Sequence, residues 1–148
     1  EKITNQIGDD EDIYALLNIE NNDEAIGALM RLAKVFIHVS TKEGFGLVVT
    51  EAMWQETPVI GSDVGGITLQ VINDQTGYLV DPFAIDNIKT FMKHILTNDD
   101  EASRLGFNAS EHVRNNFLIT SLVKRYIILM RFILGIDFPY FRIQDMEK

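Results

Sequence analysis

The sequence predicts an α/β fold, with a parallel sheet flanked by helices and a helical C-terminal segment. Short apolar runs alternate with longer amphipathic segments, the pattern that βα units leave. Two of those runs lead through glycine-rich turns into a helix, and from Ala84 onward the pattern is wholly helical. Its 148 residues, 46% hydrophobic and 24% charged, suit one globular domain with a real core and are too few for two of ordinary size.

Taken in order, residues 1–8 read as the end of a helix closed by Gly8. They lack the basic start and apolar run of a signal peptide, and a chain opening on a helix end suggests that something precedes it. Strands are expected at residues 13–19, 35–40, 58–61 and 77–80. Helices are expected at residues 23–33, 46–55, 66–72, 84–97, 100–117 and 120–134. Asn22 is a cap for the first helix, with Asp23 and Glu24 in its first turn. The run Val35-Phe36-Ile37-His38-Val39 does not alternate strictly, so it is expected inside the sheet rather than at a half-exposed edge. The last helix is strongly apolar but interrupted by Lys124, Arg125 and Arg131, short of the roughly 18–20 uncharged residues of a membrane span. It is expected to pack against a second domain, with a membrane-surface anchor as the alternative. Residues 1–135 form the expected domain, and residues 136–148 a tail whose Phe138, Tyr140 and Phe141 around Pro139 dock onto something.

Composition excludes several functions. Without cysteine there is neither a disulfide nor a cysteine metal site, which fits a reducing compartment and a cytoplasmic protein. A formal net charge of −9 gives no global positive field for nucleic acid or anionic lipid. Phosphate would have to be held locally, by backbone amides or a few cations.

The segment that carries chemistry runs from Ser40 to Ala52, where an apolar strand ends and a helix begins. In open α/β sheets ligands bind at that edge. Gly44 and Gly46 permit a tight turn and close approach. The free amides at the helix start, backed by the helix dipole, favour an anion. A plain turn between strand and helix fits such glycines equally well. Two carboxylates sharpen the reading. Glu43 precedes the loop, and Glu51 lies eight positions on, on the helical face of Leu47 and Trp54. Carboxylates accept hydrogen bonds from sugar and ribose hydroxyls, so the pair could hold both ends of a nucleotide sugar around a phosphate site. A second strand, residues 58–61, leads through Ser62-Asp63-Val64-Gly65-Gly66 into a helix, and its glycines can approach a ligand or the first loop. Asn73 to Gly77 then turn into Tyr78-Leu79-Val80.

These blocks resemble the retaining GT-B glycosyltransferases. Glu43-Gly44-Phe45-Gly46-Leu47 with Glu51 looks like their E-x7-E motif, and Ser62 to Ile67 and Thr76 to Val80 match the next two blocks in order. Within the family, Ser40 to Leu47, Glu51-Ala52-Met53-Trp54, Gly66 to Val71 and Asn116 to Thr120 are similar to the trehalose glycosyltransferring synthases and trehalose phosphorylases. The resemblance implies a Rossmann-like C-terminal domain with its first strands missing. It implies that Glu51 binds the donor ribose and that Glu43 touches the transferred sugar near the reacting carbon, without serving as a nucleophile. The amides of Gly44, Phe45, Gly46 and Leu47 would hold the sugar and the distal phosphate, and Thr50 would add a hydroxyl. Members carry an Arg and a Lys earlier in the domain and a catalytic His in a separate acceptor domain, neither of which this chain shows. No metal or other cofactor is implied, and no His, Asp and Glu cluster has metal-ligand spacing.

Lys42, the one cation near the loop, is expected to face solvent. His38, His94 and His112 are expected to be structural. Val39 stands where relatives often place Pro or Lys. The expected function is binding a nucleoside-diphosphate glucose for transfer, with glucose as acceptor and trehalose as product. The alternatives are a phosphorylase of the same fold, a non-catalytic nucleotide-sugar-binding module, and a scaffold domain. Self-association is left open.

Overall fold

The structure of the protein, a computed structural model, describes residues 10–16 and 22–135. Along them run α1 (Asn22–Leu32), β1 (Phe36–His38), α2 (Leu47–Trp54), β2 (Val59–Ser62), α3 (Ile67–Gln70), β3 (Gly77–Val80), α4 (Ile85–Thr97), α5 (Asp99–Asn116) and α6 (Ile119–Leu134). The strands form one parallel sheet in the order β1-β2-β3. Phe36 stands opposite Val59, and Val59 opposite Gly77.

All four residues of β2 are buried. Successive side chains of a strand point to opposite faces, and each face here has its own core. Val59 joins Met30, Val49, Ala52, Met53, Ile67, Ala109 and Val113 beneath α1, α2, α3 and α5. Ile60 joins Tyr78, Val80, Ile95 and Leu105 under α4 and the start of α5. A sheet covered on both faces asks for an unbroken apolar strand, which explains why Val59-Ile60-Gly61 shows no alternation.

Helix α2 carries Val48, Val49 and Thr50, poor helix formers in isolation. Tertiary burial overrides propensity: Val49, Ala52 and Met53 turn into the core, while Leu47, Glu51 and Trp54 face outward. Helix α5 has stronger local signals. The Asn98 side chain accepts from the Glu101 amide at 3.1 Å, and Asp99, Asp100 and Glu101 fill the first turn.

Several expectations need correction. Residues 13–16 form no strand and are exposed, and residues 17–19 lie outside the described segments. β1 was expected inside the sheet, yet among the described residues it is an edge, with Ile37 exposed and Phe36 and His38 half-buried. A run of apolar residues reports side-chain surroundings, not strand order; here β2 takes the central place. Asn22 is the first residue of α1 rather than the one before it, within the usual spread of helix ends. The readings on Gly8 and on the tail fall outside the described residues. Helix α6 has no buried residue, and Leu122, Tyr126 and Phe132 stand exposed along it. Among the described residues no helix is long and apolar enough to cross a membrane.

Candidate functional site

The site begins where β1 stops. The chain leaves the sheet at His38, loops through Ser40, Glu43, Gly44 and Phe45, and enters α2 from Gly46. Gly46 adopts φ 85°, the left-handed region that favours glycine. No side chain caps α2, so that helix end presents amides toward the loop.

The second glycine turn supports the first. The Gly66 amide donates to the Gly44 carbonyl at 3.0 Å. A Cβ on Gly66 would stand 2.5 Å from that carbonyl oxygen, and one on Gly65 only 1.8 Å from the Glu43 carbonyl oxygen. Of the two roles open to these glycines, the structure shows backbone contact with the first loop.

Gln70, wholly buried, pins the loop to α2. Its Nε2 donates to the Phe45 carbonyl, and its Oε1 accepts from the Thr50 hydroxyl at 2.6 Å. Thr50 therefore turns inward, with its proton committed to Gln70. Sequence reasoning passed over Gln70. The only available signal was an amide inside the apolar stretch Ile67 to Val71, where a buried polar group requires partners.

Glu43 is three-quarters buried, and both its oxygens are engaged. Oε1 accepts from the Gly44 amide at 3.0 Å, and Oε2 lies 3.1 Å from His38 Nε2. His38 Nε2 is also 3.1 Å from Ser40 Oγ. His38 thus has its ring nitrogen satisfied within the protein, as expected, and its partners lie in the loop. Glu51 lines a cavity of about 260 Å³ between α1 and α2, together with Asp23, Ile26, Gly27, Met30, Trp54 and Gln55. The Arg114 guanidinium lies 5.8 Å from the centre of the Trp54 ring.

The structure thus brings Glu43, Gly44, Phe45, Gly46 and Leu47 together at one helix start, with Glu51 a turn further on at its own cavity and Thr50 behind. Lys42 is exposed, as expected. His94 is exposed and meets Tyr78 edge-on at 6.3 Å. His112 is nearer the loop than its sequence position suggests. Its ring meets Phe117 edge-on at 5.4 Å, and Phe117 meets Phe45 at 5.9 Å. Burial pushes the His112 pKa down, partly offset by the Leu69 backbone. Among the described residues no three His, Asp or Glu side chains are grouped to hold a metal ion.

Comparison with known proteins bears on the family and the fold. Residues 12–112 match the family described as Glycosyl transferases group 1. The trehalose synthase of Thermococcus litoralis is 41% identical over 131 residues, 88% of this chain and 31% of that protein. The chain therefore spans about a third of that relative's length. Sucrose-phosphate synthase from Thermosynechococcus elongatus superposes with a TM-score of 0.77 at 29% identity, over 90% of this chain and 34% of that one. Anabaena HepE in complex with UDP-glucose superposes with a TM-score of 0.74 at 20% identity, over 87% of this chain and 35% of that one, a likeness of fold alone. The fold is that of the C-terminal domain of GT-B glycosyltransferases.

Proposed function

The chain belongs to the Glycosyl transferases group 1 family, and from that premise we propose that it binds the nucleoside-diphosphate sugar donor of a retaining glycosyltransferase. One observation carries the reading: an uncapped helix start with Glu43 beside it in the loop and Glu51 a turn further on, at its own cavity. Helix-start amides suit the diphosphate, and carboxylates suit hydroxyls at its two ends. In this reading the amides of Phe45, Gly46 and Leu47 meet the sugar and distal phosphate. Gly44 joins them when its amide leaves Glu43. Glu43 holds the transferred sugar near the reacting carbon, and Glu51 accepts from the ribose. Thr50 serves the site through Gln70, which keeps the loop on α2.

The donor is a nucleoside-diphosphate glucose such as UDP-glucose, which the Anabaena structure contains. The likeness to a trehalose synthase favours glucose as acceptor, bound outside this chain, and trehalose as product. Donor binding needs no metal, so EDTA should leave the affinity unchanged. The lack of cysteine supports a reducing compartment, the cytoplasm.

Calorimetric titration of the protein with UDP-, ADP- and GDP-glucose tests the proposal. Saturable binding of one donor is expected, weakened about tenfold or more by Glu51→Ala. If inorganic phosphate binds and no nucleotide sugar does, the phosphorylase alternative takes its place. If neither binds, the donor-site reading fails.

A further inference from the structure

We infer that His38 is a positioning residue that sets the Glu43 carboxylate for the transferred sugar, an inference that rests on the donor-site reading above. His38 is the last residue of β1, and its ring lies parallel to that of Phe36, centroids 6.4 Å apart with 8° between planes. Its Nε2 sits between Ser40 Oγ and Glu43 Oε2, each at 3.1 Å. An ionised carboxylate can only accept, so Nε2 must carry the proton that faces Glu43. On the other oxygen the Gly44 amide, at 3.0 Å, belongs to the loop itself and moves with it.

The two anchors differ in kind. Gly44 ties Glu43 to a neighbour on the same loop, whereas His38 ties it to the sheet. Glu43 and His38 are both about three-quarters buried, 25% and 23% exposed, where a hydrogen bond is less weakened by water. A sugar hydroxyl can displace the Gly44 amide from Oε1 while His38 still holds Oε2. The carboxylate then meets the sugar without first being ordered, and the ordering cost stays out of the binding equilibrium. The contribution is confined to ligands that carry the sugar, because a nucleoside diphosphate alone does not reach Glu43.

Paired titrations test this: UDP and UDP-glucose, or the ADP or GDP pair if that is the one that binds, against the unaltered protein, Glu43→Gln, His38→Leu and His38→Gln. The quantity read is the ratio of the two affinities relative to the unaltered protein. His38→Leu should lower UDP-glucose affinity about tenfold and leave UDP affinity unchanged, the loss of one charge-assisted hydrogen bond. His38→Gln should restore most of it, since the glutamine amide can offer an N–H where Nε2 stood. Glu43→Gln should lower the same ratio. If Glu43→Gln acts and His38→Leu does not, the positioning role is overturned while the donor-site reading stands. If His38→Leu weakens UDP and UDP-glucose alike, His38 supports only the fold, and the inference is overturned. If Glu43→Gln leaves the ratio untouched, Glu43 does not bind the sugar and the inference is overturned, while donor binding at the start of α2 stands.

Discussion

Gly65 lies so close to Glu43 that a Cβ at position 65 would stand 1.8 Å from the Glu43 carbonyl oxygen. This contact joins the two glycine turns into one unit, and Gly65 adopts φ 50°, where a side chain is strained whatever the space. Gly65→Ala should therefore destabilise the protein by more than about 2 kcal/mol and abolish donor binding. Thermal unfolding and calorimetry on the same sample check both effects. An unaltered midpoint with intact binding would show that the turns are not in contact.

Gln70 offers a gentler perturbation of the same unit. Replacing it with Leu keeps the volume roughly but leaves the Phe45 carbonyl and the Thr50 hydroxyl without their partner. Two such orphaned groups cost on the order of 2–4 kcal/mol. Thr50→Val in the Gln70→Leu background should recover part of that loss, because it removes one of the orphans. Denaturant midpoints of the four proteins in the cycle measure the coupling, and strict additivity would contradict the arrangement.

The two carboxylates should separate by ligand. Glu51→Ala is expected to weaken UDP and UDP-glucose by the same factor, since the ribose is common to both. Glu43→Ala is expected to weaken only UDP-glucose. Equal losses from both substitutions on both ligands would contradict the division of roles.

Away from the loop, pH dependence should show in stability. Arg104 grips Glu101 through hydrogen bonds of 2.8 and 2.7 Å, and with Tyr78 it pulls the carboxyl down from 4.5 to about 2. A depressed carboxyl contributes stability above pH 4.5 that is lost as pH falls toward 2. Burial, then the hydrogen bond to Glu101, raises the Tyr78 hydroxyl from 10.0 to about 12. That stability is present below pH 10 and lost as pH rises toward 12. In Glu101→Gln the acid-side loss should shrink, and in Tyr78→Phe the alkaline-side loss. Melting temperatures across a pH series give the answer, and unchanged slopes in both variants would refute it.

Much of this was legible in the residues themselves. The bounds of β3 agree with the expected 77–80, because Gly77 and the apolar run behind it mark both ends. The loop could be read because its glycines, both carboxylates and the helix start lie within one short stretch; spacing puts Glu51 on one face with Leu47 and Trp54, but that this face is outward shows only in the fold. What could not be read depends on residues that meet only after folding. Gln70 reaches Phe45 across 25 positions. Gly65 touches Glu43 because β1 and β2 are parallel neighbours whose following turns lie side by side; the residues left open whether those glycines meet a ligand or the first loop. Periodicity places His38 on a strand, as a structural residue, and cannot show that the loop folds back to make Glu43 its partner. The edge position of β1 escaped for a similar reason, since strand order is a property of the whole sheet.

If the proposed function holds, the start of α2 holds the diphosphate of a nucleotide sugar. Amide chemical-shift mapping of the isotope-labelled protein, titrated with UDP-glucose, tests it most directly. The largest shifts are expected on the amides of residues 44–48, with a second group around Glu51 and its cavity. Shifts concentrated elsewhere, with the amides of residues 44–48 unmoved at saturation, would contradict it.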